Sequence, residues 1–127
     1  TSQIFKVLVV EDNRINQLVT KKIMEKNLYK CCVVDDGYEA LKILETEIFD
    51  IILMDINMPL LNGFETTRLI RNKNITTPII ALTAFDKEEI SEEAISAGMN
   101  DIVIKPFDQS KLFKALSTLI YDAKNVG

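Results

Sequence analysis

Short apolar runs alternate with amphipathic stretches along the whole chain. The stretches Lys6 to Val10, Cys31 to Val34, Ile51 to Met54, Ile79 to Leu82 and Ile102 to Ile104 are hydrophobic almost throughout. Such runs predict strands buried on both faces, the habit of a parallel sheet covered by helices. Between them the period lengthens. Ile15, Leu18, Val19 and Ile23 share one helical face, as do Leu112, Leu116, Leu119 and Ile120, and such stripes ordinarily face a core. The punctuation agrees: Asp36-Gly37 follows the second strand, Asn62-Gly63 precedes the third helix, and Gly98 stands where the fourth helix needs a stop. Five strand-then-helix units with right-handed crossovers predict a five-stranded parallel sheet with helices on both faces.

The 127 residues suit one domain spanning residues 1 to 127, with its core over about 5 to 121, and repeats and linkers are absent. A composition of 47% hydrophobic and 27% charged residues is that of a globular protein. No apolar run approaches the roughly 20 residues of a membrane helix, so membrane contact is not expected. The net charge of −4 argues against nucleic acid, whose phosphates select basic surfaces. Cys31 and Cys32 are adjacent, which suits neither a disulfide framework nor a spaced zinc site; in a strand they point to opposite faces, small apolar residues in a reducing cytoplasm. The chain opens Thr-Ser-Gln without an initiator methionine, as a fragment of a longer protein or a processed terminus would.

Histidine is absent, which removes the commonest general base and transition-metal ligand, so chemistry here runs on carboxylates, lysine and hydroxyls. In a parallel sheet the residues just past the strands gather on one edge, the usual ligand crevice. Those residues are Glu11 and Asp12, Asp55, Thr83 and Lys105, with Asp35 and Asp36 after the second strand. Three carboxylates at one spot repel one another unless a cation joins them. A hard divalent ion does so, and magnesium takes a couple of carboxylates, keeps waters and completes its octahedron with a phosphoryl oxygen. Lys105 adds a second positive charge for a phosphoryl group and the Thr83 hydroxyl a hydrogen bond. Asp55, central on the edge, is the best-placed nucleophile, and no histidine base is required because a carboxylate is already ionised near neutral pH.

The stretches VLVVEDN at 7 to 13, ILMDINMPLLNGFE at 52 to 65, IIALTA at 79 to 84 and IKPF at 104 to 107 together resemble the receiver domains of two-component response regulators. The resemblance covers essentially the whole chain. It implies a flavodoxin-like doubly wound sheet of strand order 2-1-3-4-5, an arrangement for which a receiver is a standing illustration. It makes Asp55 the phosphoacceptor. Asp12, Asp55 and the backbone carbonyl of Asn57 become direct ligands of Mg2+ or Mn2+, with Glu11 acting through water. It further implies that Thr83 moves toward the phosphoryl group on activation, that Lys105 pairs with that group, and that the Lys105-Pro106 bond is cis. Pro59 and Gly63 resemble the family's loop after the third strand, where proline stiffens the turn and glycine lets the chain re-enter a helix.

Two positions bear on signalling. Many receivers carry Tyr or Phe three residues before the lysine, and here that position is Ile102, which puts a ring-rotation switch in doubt. Phe85, two residues after Thr83, holds a position that influences dephosphorylation in the family; it either hinders attacking water or packs on the fourth helix or a partner. Asn16 and Gln17 read as ordinary helix-face polar residues, yet EDNRINQLV resembles receivers fused to hybrid sensor histidine kinases. The implied donor is a histidine kinase domain or histidine phosphotransfer protein, and the implied state a cytoplasmic monomer. Self-phosphorylation and slow self-dephosphorylation would be the domain's own catalysis.

Other readings are a stand-alone response regulator and a phosphorylation-independent interaction module, though the latter usually lacks one of the five key residues kept here. A haloacid dehalogenase phosphatase would want an aspartate where Asn57 stands. A flavodoxin would want a phosphate-cradling loop where EDNRIN is acidic.

Overall fold

The computed structural model describes residues 4–106 and 108–125. Phe107, the last residue of the IKPF stretch, lies outside them, as do residues 1–3. The chain alternates strictly: β1 (Lys6–Val10), α1 (Arg14–Lys26), β2 (Lys30–Val34), α2 (Gly37–Leu44), β3 (Ile51–Asp55), α3 (Gly63–Asn72), β4 (Ile79–Thr83), α4 (Lys87–Ala97), β5 (Asp101–Ile104) and α5 (Gln109–Asn125). The strands form one parallel sheet of order β2-β1-β3-β4-β5. This is the doubly wound α/β arrangement expected from the sequence.

Alternation along the strands builds two cores. Leu8, Val10, Ile52, Met54, Ile79 and Ala81 pack with Ala40 of α2, Phe64 and Ile70 of α3, and Ile90 and Ala94 of α4. Their neighbours Val7, Val9, Ile51, Leu53, Ile80 and Leu82 pack with Met24 of α1 and with Leu112, Leu116 and Ile120 of α5. In the three central strands β1, β3 and β4 the apolar residues thus meet helices whichever way they point, which is why those runs are continuously apolar. Cys31 joins the second core and Cys32 the first, both as free thiols.

Helix starts are fixed by side chains just past the strands. Asn13, Asp36 and Asp86 each accept a backbone N–H of the first turn, and Asn62 forms a reciprocal capping box with Glu65. Gly98 closes α4 in the left-handed conformation, φ 107°.

One helix departs from expectation. The residues that α1 buries are Gln17, Thr20 and Met24, whereas Ile15 is 71% and Leu18 56% exposed, Val19 is exposed, and Ile23 reaches the core only at its edge. At 100° per residue the apolar stripe centres about half a turn from the buried seam. The helix therefore carries its apolar side chains outward. Among the described residues, no helix is long and apolar enough to cross a membrane.

Candidate functional site

Because β1, β3 and β4 are neighbours and all strands run one way, their C-terminal ends bring Glu11, Asp12, Asp55 and Thr83 to one edge, and β5 adds Lys105. Carboxylate oxygens of Glu11, Asp12 and Asp55 lie within 4.8 Å of one another. Lys105 Nζ stands 2.9 Å from Glu11 Oε1 and 3.6 Å from Asp55 Oδ1. The Lys105-Pro106 peptide bond is cis. Asp55 is 5% exposed and Glu11 is similarly buried, whereas Asp12 is open to solvent.

Backbone donors hold the two buried carboxylates. Asn57 N–H donates to Asp55 Oδ1 at 3.2 Å, and Asn13 N–H to Glu11 Oε2 at 3.2 Å. The Thr83 hydroxyl oxygen, almost fully buried, accepts the Phe85 N–H at 3.0 Å, leaving its own O–H free to be donated. The Phe85 side chain is half exposed, and Ile102 is partly buried against the α2–α4 core.

Electrostatics divides the acid pair. Burial, then the hydrogen bond shared with Glu11 and the Glu11 charge, push Asp55 up to about 7 against the pull of Lys105 and the Asn57 N–H. Burial works on Glu11 too, but there the hydrogen bonds with Lys105 and Asp55, the Lys105 charge and the Asn13 N–H outweigh it, so Glu11 lies below its usual value. One carboxylate stays ionised while the other shares a proton with it near neutrality. In the metal-free protein Asp55 is thus not simply ionised at pH 7, because burial beside Glu11 favours its protonated form. Three carboxylates crowded together, two of them buried, fit a divalent cation, whose charge would replace that proton.

Two further groups shape the site. Gln17 Nε2 donates to the Glu11 carbonyl and to Asp35 Oδ1, which goes beyond the ordinary helix-face polar residue that its sequence suggests. Gly63 has no left-handed φ. A Cβ there would instead lie 2.6 Å from the Asp55 carbonyl oxygen and 2.8 Å from Ile56 Cα. Glycine is needed for close approach to the strand that carries Asp55, not for conformational freedom.

A family model described as the response regulator receiver domain matches residues 7–117. The chain is 40% identical over 112 residues to the autoinducer 2 sensor kinase/phosphatase LuxQ of Vibrio vulnificus, covering 87% of this chain and 13% of that protein. It is 37% identical over 120 residues to the transcription factor SKN7 of Candida albicans, covering 94% of this chain and 22% of that one. The chain thus spans less than a quarter of the length of these curated relatives. Among solved structures, the receiver domain of a sensor histidine kinase from Pseudomonas aeruginosa, with a magnesium ion coordinated in its active-site cleft, superimposes with a TM-score of 0.84 at 38% identity, covering 93% of this chain and 98% of the other. The strand order, the acidic edge and these likenesses agree: the chain belongs to the response regulator receiver domain family, whose members act in two-component phosphorelay signalling.

Proposed function

We propose that Asp55 accepts a phosphoryl group from a phosphohistidine, with Mg2+ or Mn2+ held by Asp12, Asp55 and the Asn57 backbone carbonyl, and by Glu11 through water. The observation that carries this reading is the buried Asp55 carboxylate flanked within a few ångströms by Glu11, Asp12 and Lys105. A bound divalent cation supplies charge neutralisation between the carboxylates and the incoming phosphoryl oxygens. An Asp55 carboxylate oxygen forms the new O–P bond as the N–P bond of the donor breaks. The imidazole keeps that electron pair and leaves neutral when its other ring nitrogen carries a proton. Lys105 offsets charge on the transferred group, and the Thr83 O–H donates to one of its oxygens. Ile102 has no ring to swing inward, so a large readout through β5 is not expected. Phe85, half exposed, is free either to shield the phosphoryl group from water or to meet a partner.

In this reading residues 1 to 127 are the receiver of a hybrid sensor histidine kinase, working in the cytoplasm where both free thiols stay reduced. Its likeness to LuxQ supports that context, while the likeness to a transcription factor supports a response regulator as the second reading. Incubation with acetyl phosphate and Mg2+, followed by borohydride reduction of any acyl phosphate to homoserine and peptide mapping, tests the chemistry. One metal-dependent adduct per chain, mapped to position 55, is expected. An adduct elsewhere, or none in folded protein with saturating metal, would overturn the reading.

The outward stripe of α1 gives the donor a place to lie. Ile15, Leu18 and Val19 are exposed, and a cavity of about 320 Å³ bordered by Val19, Ile23 and Pro106 opens toward Glu11 and Lys105. A histidine-bearing helix resting on this stripe would bring its imidazole over the acidic edge. Leu18→Lys is therefore expected to slow uptake from a phosphorylated histidine phosphotransfer protein by about tenfold or more, the scale of one well-packed interface side chain. Uptake from acetyl phosphate should be unchanged. Equal losses with both donors would show that Leu18 supports the fold instead.

A further inference from the structure

We propose that Gln17 is a positioning residue for the metal-binding acids: its carboxamide ties the backbone of Glu11 to Asp35 and so sets where the Glu11 and Asp12 carboxylates stand relative to Asp55. The inference rests on the functional reading above. Gln17 is 7% exposed in the buried seam of α1, between Asn13 and Thr20 along the helix face. A buried amide is costly unless its hydrogen bonds are made. Its two N–H groups are taken by the Glu11 carbonyl, 2.5 Å, and Asp35 Oδ1, 2.7 Å. Both partners only accept, which fixes which end of the amide faces them.

The bond to Glu11 matters because its carbonyl belongs to the same rigid peptide unit as the Asp12 N–H. Holding that oxygen fixes the plane from which the chain leaves β1, on one side of which Glu11 turns inward to Lys105 and on the other Asp12 brings a carboxylate oxygen within 4.8 Å of those of Glu11 and Asp55. Asp12 is solvent-exposed, so its place is inherited from this backbone rather than from packing. The second bond reaches the exit of β2, where the Asp35 N–H is accepted by Glu39 Oε1 at 3.3 Å. One side chain thus joins the ends of two neighbouring strands beneath the acid pair. A methionine or leucine would fill the same space in a seam shared with Met24; only an amide also supplies the two donors.

The test is Mg2+ affinity by calorimetry on the unphosphorylated domain, with metal-free thermal unfolding measured in parallel. Gln17→Met, similar in size and without donors, is expected to weaken Mg2+ binding about tenfold, the usual cost of losing a group that orients a ligand, in protein that still unfolds cooperatively. Asp35→Ala, on the surface, should give a smaller loss, and Asp35→Asn, which keeps an acceptor oxygen, should recover most of it. An unchanged affinity in folded Gln17→Met, or full affinity in Asp35→Ala should the first variant not fold, would overturn the positioning role alone. A wild-type domain that neither binds Mg2+ nor takes up a phosphoryl group would overturn the functional reading, and the positioning role with it.

Discussion

Asp55→Asn is expected to abolish the phosphoryl adduct and, in the absence of metal, to make the domain more stable at pH 8 than the wild type. The two outcomes have one cause. Asp55 is held in the sheet edge with its pKa raised from 3.8 to about 7 by burial and by Glu11. A carboxyl whose folded pKa exceeds its unfolded value contributes stability that is fully present below about pH 3.8 and is lost as pH rises through about 7, since the folded state binds the extra proton in that window. The rise corresponds to about 4 kcal/mol. That figure already includes the pull of Lys105; because the proton is shared with Glu11 and solvent screens part of the site, about half of it, a gain of about 2 kcal/mol at pH 8, is expected, or roughly 7 °C in Tm for a domain of this size. At pH 5 the two proteins should differ little. Mg2+ should stabilise the wild type at pH 8 more than the variant. Thermal unfolding at the two pH values, with and without metal, makes the measurement. Equal Tm values at pH 8 would mean that the acid pair is not under strain.

The sheet and its edge were legible because burial on both faces leaves a signal that needs no tertiary knowledge. The five runs place the strands to within a residue at either end, and the strand ends put Glu11, Asp12, Asp55, Thr83 and Lys105 on one edge. The assignments that depend on direction were less legible. Periodicity finds a stripe on α1 but not which way it faces; here the sheet takes the side with Gln17, Thr20 and Met24, and the stripe is left outside. Gln17 was unreadable for the same reason, since its partners are a backbone carbonyl and an aspartate 18 positions away. In the sequence Gly63 reads as the residue that lets the chain re-enter a helix, whereas its lack of a side chain is required by the proximity of the Asp55 backbone, a contact between elements that local sequence cannot express. The Asp55 pKa likewise depends on depth and on Glu11, not on the run of residues before it.

The other large effect lies away from the acidic edge. Arg71, in the last turn of α3, donates from Nε and Nη2 to the Gly98 carbonyl at 3.0 and 2.8 Å, from Nη1 to the carbonyls of Ile75 and Thr77 at 2.9 and 2.8 Å, and from Nη2 to Asn100 Oδ1 at 3.0 Å. Asn100 in turn accepts the Ile79 N–H, at the start of β4. One half-buried guanidinium therefore satisfies the end of α4, the turn before β4 and the lead into β5. Gly98 is suited to this twice over, by its left-handed φ and because a Cβ there would lie 2.8 Å from Arg71 Cγ. Arg71→Met would leave several carbonyls without their donor, each costing about 1 kcal/mol or more where water cannot reach. A loss of about 3 kcal/mol is expected in urea unfolding with an unchanged m-value. Arg71→Lys should recover little of it, since a single ammonium cannot span the fork that the guanidinium fills. Phosphorylation of the folded fraction by acetyl phosphate should stay within about twofold of wild type, because no acid-edge residue is among the partners of Arg71. A loss below about 1 kcal/mol would mean that water takes over those carbonyls, and a full rescue by lysine that charge rather than the fork holds the loops together.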